Sequence, residues 1–80
     1  MDHTDAVTAQ AVNDKIENSD CTLRSISDAT GIAYTTLRRL TRGEGNQGFT
    51  FSQITRIGKH VGFRASEVLA EVERREGALV

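Results

Sequence analysis

The sequence predicts an all-α fold, a single compact domain of five helices spanning residues 1–80, and three observations carry that prediction. None of the 80 residues is proline, and β-branched runs are short, so nothing in the chain forces it out of helix. Apolar residues recur at helical spacing in separate segments. Between those segments stand glycines suited to stopping a helix (Gly31, Gly43, Gly62) and threonines placed to start one (Thr22, Thr50).

The first helix is expected from about Asp5 to Asn18, with Thr4 as its N-cap and Val7, Ala11, Val12 and Ile16 on one face. Asn18-Ser19-Asp20 reads as a turn. Thr22 caps the second helix, whose inner face holds Leu23 and Ile26. Ser27 stands four residues before Gly31, where helices crossing steeply leave room only for a small side chain. Gly31 takes the chain out of the helix through the left-handed conformation that glycine adopts without steric penalty. Ile32, Leu37 and Leu40 continue the apolar set into a third helix from about Tyr34 to Thr41, stopping at Gly43. Tyr34, Thr35, Arg38 and Arg39 are then left facing outward. The loop Glu44-Gly45-Asn46-Gln47-Gly48 suits close backbone approach to a phosphate and equally suits a plain linker.

Thr50 and Gln53 form a Thr-x-x-Gln capping box for the fourth helix. Its apolar stripe is Phe51, Ile54, Ile57 and Val61. Gly58, in mid-helix, costs up to about 1 kcal/mol against alanine, which implies close packing at that point. Gly62 ends the helix and Phe63 turns into the core. The fifth helix runs from about Ala65 to Arg75 and is expected to bury Val68, Leu69 and Val72, followed by an apolar and acidic tail over residues 76–80 that ends in Ala78-Leu79-Val80.

Charge is unevenly placed. The net charge is −1, which is not the basic balance of many nucleic-acid binders. Residues 24–64, however, hold seven cations (Arg24, Arg38, Arg39, Arg42, Arg56, Lys59, Arg64) against Asp28 and Glu44, a net of +5. The acidic excess lies in the flanks, where it weakens a local basic patch without cancelling it. No apolar stretch approaches membrane-span length, and the polar N-terminus is not a signal peptide. The single cysteine, Cys21, has no internal partner for a disulfide, which fits a reducing cytosol, and it reads as a small buried filler. Enzyme chemistry finds no support. His3 and His60 lack partners at metal-ligand spacing, and no nucleophile is accompanied by a base. Gly43-x-Gly45-x-x-Gly48 follows a helix instead of a strand and is no phosphate-binding fingerprint. No cofactor, metal or small-molecule substrate is expected.

Residues 22–43 read as two short helices joined by a tight turn, with three arginines on or just after the second. That is the layout of a helix-turn-helix, which lays one helix in the DNA major groove. A plain helical bundle also has short helices and glycine stops. The mutual offsets of Ser27, Gly31, Leu37 and Leu40 favour the helix-turn-helix. The segment Gly31-Ile-Ala-Tyr-Thr-Thr-Leu-Arg-Arg-Leu-Thr-Arg-Gly43, together with Phe51 to Leu69, resembles the helix-turn-helix regulators of the phage repressor and Cro type, also called Xre-like, over roughly residues 22–71. Ser27, Leu23 and Ala33 stand where that family usually has alanine, often has glutamine, and usually has a serine or threonine cap.

The resemblance implies a lambda-repressor-like fold and a sequence-specific DNA-binding transcriptional regulator that occupies an operator in the cytosol of a bacterial or phage-infected cell. Two alternatives stay open: a protein-interaction module of the same fold, such as an antitoxin or anti-repressor, and the DNA-reading part of a larger repressor. With a recognition helix beginning near Tyr34, the base-reading candidates are Tyr34, Thr35, Arg38 and Arg39, Arg39 being favoured for a guanine. The phosphate candidates are Thr22 and Arg24 at the start of the second helix, and Arg42, Asn46, Gln47 and Thr50, placed on the same side by the resemblance. Family members usually dimerise to read two half-sites. No segment here advertises a dimer seam; the candidates are the outer face of the fifth helix and the apolar Ala78-Leu79-Val80 tail, which as a chain end equally suits fraying or packing on its own core.

Overall fold

In the computed structural model, which describes residues 1–77, five α-helices account for the regular structure: α1 (His3–Glu17), α2 (Leu23–Thr30), α3 (Tyr34–Thr41), α4 (Phe51–Val61) and α5 (Ala65–Gly77). No strand occurs among the described residues. The Ala78-Leu79-Val80 tail lies outside them. Helix α1 runs along α5 and also touches α3 and α4, while α2 packs on α3 and α4. Val12, Ile26, Leu37, Ile57 and Val68 are sealed at the centre of this arrangement, so each helix sends at least one side chain to the same core.

The helix starts follow from side-chain caps. Asp2, not Thr4, caps α1: its carboxylate accepts the Asp5 amide at 2.7 Å. Thr4 lies inside the first turn, its carbonyl accepting the Thr8 hydroxyl at 2.8 Å. A carboxylate reaches the free amides of a first turn as well as a hydroxyl does and also complements the dipole, so the helix begins two residues earlier than expected. Thr22 and Ser25 cap α2 reciprocally, each hydroxyl accepting the other's amide at 3.1 Å. Thr50 and Gln53 cap α4 reciprocally as well, the Gln53 Oε1 accepting the Thr50 amide at 2.8 Å and the Thr50 hydroxyl accepting the Gln53 amide at 3.1 Å. Helix α3 has no side-chain cap, because Ala33 has no acceptor to offer.

The connection from α2 to α3 turns on Gly31, at φ 77°. Its amide closes the helix on the Ser27 carbonyl at 2.9 Å. The Ser27 hydroxyl reaches across the turn to the Ile32 carbonyl at 2.6 Å, and the Thr30 hydroxyl accepts the Ile32 amide at 3.2 Å. These bonds fix the course by which Ile32 is buried and α3 begins. At the end of α4 the expected close packing is present: a side chain on Gly58 would collide with the Phe63 carbonyl oxygen. Phe63 itself is buried.

Three residues depart from expectation. Phe51 is 74% exposed and Leu69 57% exposed, although both belong by type to the predicted core stripes. Phe51 opens the first turn of α4, before the helix reaches the body, and the residue that enters the core there is Phe49, just upstream. On α5 the buried side chains are Val68 and Val72, four apart. Leu69 is rotated by about a hundred degrees from Val68 and falls off that face. Cys21 is half-buried against the core edge instead of fully enclosed.

Candidate nucleic-acid interface

Helix α3 is anchored by two side chains. Leu37 and Leu40 are both buried, and a helix of eight residues held by one apolar edge must present its opposite face outward. Thr35, Arg38 and Arg39 are exposed on that face, and Arg42 is exposed just after it. Thr35, Arg38, Arg39, Arg42 and Glu44 line one shallow depression. Four of the sequence-predicted residues therefore come together.

Arg39 sits against the loop that follows the helix. The Arg39 side chain lies along the Gly43–Gly48 loop, with its Cδ 3.4 Å from where a Cβ on Gly45 would stand. The Arg39 carbonyl accepts the Glu44 amide at 3.1 Å. A Cβ there would make only ordinary contact with Arg39; it is the φ of 94° at Gly45 that favours glycine. The loop is tied on its other side as well: the Gly45 carbonyl accepts the Met1 nitrogen at 2.6 Å, and Gly48 sits so close to Asp5 that a Cβ would come within 2.8 Å of it. Asn46 and Gln47 are exposed between these ties.

Tyr34, the first residue of α3, is half-buried. The Arg24 guanidinium lies over its ring, 5.0 Å from the centroid, within the range of a cation–π contact. Arg24 occupies the second position of α2, so this contact joins the starts of the two helices. The sequence named both residues but assigned them separate tasks and did not foresee the contact. Thr22 and Thr50 hold their helix amides with the same hydroxyls that were named as phosphate candidates, and both residues remain exposed. A hydroxyl that accepts an amide keeps its own proton to donate.

Electrostatics divide the molecule in two. Every ion pair among the described residues lies on α1 and α5: Lys15 with Glu67 at 3.5 Å, Arg75 with Asp14 at 2.6 Å and with Glu71 at 2.7 Å, and Arg74 with Glu71. Hydrogen bonds from Arg74 and then Arg75 hold the Glu71 carboxyl down at about 2. By contrast Arg24, Arg38, Arg39, Arg42, Arg56, Lys59 and Arg64 make no ion pair among the described residues. Three of the eleven carboxylates, Asp14, Glu67 and Glu71, are engaged on that side, and the cations of residues 24–64 stand outside these pairs.

Among the described residues no three His, Cys, Asp or Glu side chains are grouped so as to hold a metal ion, and no helix is long and apolar enough to cross a membrane. No protein-family model, curated protein or solved structure matches this chain.

Proposed function

We propose that this chain is a sequence-specific DNA-binding transcriptional regulator resembling the phage repressor and Cro type, with α2 and α3 as its helix-turn-helix in a lambda-repressor-like fold. The observation that supports it most is the gathering of Thr35, Arg38, Arg39 and Arg42 on the solvent face of α3 with no carboxylate paired to any of them among the described residues. A cationic face of this kind gains affinity by releasing the counterions of a phosphate backbone. Its arginines add base discrimination of about 1–3 kcal/mol for each bidentate contact to guanine.

In this reading Tyr34, Thr35, Arg38 and Arg39 face the base edges of the major groove. Thr22, Arg24, Arg42, Asn46, Gln47 and Thr50 hold the phosphates on either side. The regulator works in the cytosol by occupying an operator. Two copies, meeting through the outer face of α5 where Leu69 is exposed, read half-sites about one helical turn apart.

Selection of bound sequences from a random duplex pool tests the proposal. A single enriched motif, bound with an affinity that falls steeply with salt, is the expected result. A chain that enriches no sequence and instead retains an acidic protein would overturn it in favour of an interaction module.

A further inference from the structure

We infer that Arg24 is a positioning residue whose main task is to hold the Tyr34 ring in place for base reading, and this inference rests on the DNA-binding function proposed above. Tyr34 opens α3, a helix with no side-chain cap, and its ring is only half-buried. Among the described residues no hydrogen bond restrains its hydroxyl, and its ring is stacked by one charged group, the Arg24 guanidinium at 5.0 Å from the centroid. Arg24 is itself well founded: it stands in the first turn of α2, where the Thr22–Ser25 box fixes the backbone.

A planar guanidinium on a ring face limits the ring's two torsions and leaves the other face and the edge free for a neighbour. It also keeps a positive charge beside an aromatic surface that approaches an anionic helix. An arginine suits this better than a lysine, because only the guanidinium is planar and weakly hydrated and can lie flat on the ring. Arg24 therefore acts on the sequence preference through Tyr34, beyond any attraction it has for a phosphate.

Tyr34 is the only tyrosine of a chain without tryptophan, so tyrosine fluorescence reports on this ring alone. Acrylamide quenching should rise in Arg24→Ala while the helical circular dichroism stays unchanged. Equal quenching in the two proteins would overturn the inference without touching the DNA-binding reading. On a selected operator, Arg24→Ala should lower discrimination at one base pair by about two- to fivefold, the scale of an exposed cation–π contact. Arg24→Lys should restore the salt dependence but not that discrimination. In a Tyr34→Ala background, Arg24→Ala should weaken all sequences equally. Full recovery of the preference by Arg24→Lys, or an undiminished effect of Arg24→Ala without Tyr34, would show that Arg24 contributes only charge. If the unaltered chain selects no sequence, the DNA-binding reading fails, while the quenching comparison still decides whether Arg24 holds the ring.

Discussion

Arg75 donates to Asp14 at 2.6 Å and so ties α5 to α1 across 61 positions of sequence. The same guanidinium holds Glu71, which Arg74 also grips, and these four carboxylate and guanidinium groups form one network on the seam between α1 and α5, the most extensively packed helix pair of the fold. With its carboxyl held at about 2 against an ordinary value of 4.5, Glu71 favours the folded state once ionised. Its contribution is fully present above about 4.5 and is lost as pH falls from there towards 2. Thermal melting at stepped pH should show Glu71→Gln less stable than the unaltered chain at pH 7, with the gap closing between 4.5 and 2. A gap independent of pH would mean that the network contributes through packing alone.

Among the glycines, Gly58 is the one whose missing side chain leaves least room, because Phe63 crosses directly over it. A methyl group at position 58 would meet the Phe63 carbonyl, a backbone atom that cannot swing aside. Gly58→Ala gains about 1 kcal/mol of helix propensity but must displace the turn that delivers Phe63, at a cost typical of overpacking, about 1–3 kcal/mol. A net loss in urea unfolding is expected. A more stable alanine variant would show that the turn relaxes freely.

Much of this fold was legible in the sequence because its punctuation is chemical. Thr50 with Gln53, Gly31 and Gly62 mark helix ends by the groups they satisfy or the conformation they allow, and α3 begins and ends where expected. Periodicity told less at the helix ends. Phe51 and Leu69 have core character, yet one precedes the body and the other lies beside the buried Val68–Val72 edge. Asp2 displaced Thr4 as a cap because two suitable side chains stood two residues apart, and only the backbone decides between them. The clustering of Thr35, Arg38, Arg39 and Arg42 followed from their places opposite Leu37 and Leu40. The Arg24–Tyr34 contact did not, since it depends on the angle between two helices, which spacing leaves unspecified.

Arg39 and Arg42 should separate in their effects on DNA. Arg39 lies beside Gly45 and lines the shared depression at the middle of the exposed face of α3, a place that suits a directed contact to one base. Arg39→Ala should relax the preference at a single base pair by about 1–3 kcal/mol. Arg42→Ala should weaken specific and random DNA alike and lower the salt slope by about one unit. Competition assays at several salt concentrations measure both. Equal losses on all sequences for Arg39→Ala would remove it from base reading, and an unchanged slope would leave Arg42 simply hydrated.

The face proposed for pairing exposes Leu69, with Phe51 exposed beside it. They flank a depression of about 210 Å³ whose floor includes Phe49, Ile54, Val68 and Val72. Leu69 is 57% exposed, so Leu69→Ser should cost about 1 kcal/mol of stability, well short of a core truncation. If two copies meet through the outer face of α5, the same change removes apolar area from both sides of the seam at once, because a two-fold contact repeats every residue. Sedimentation should then show the operator complex falling from two chains to one, with a weaker and less salt-tolerant association, while the Phe51→Ser variant tests whether the seam extends to α4. A complex that holds one chain on a site without an inverted repeat, in the unaltered protein, would overturn the paired arrangement and leave the reading of α3 standing on its own contacts.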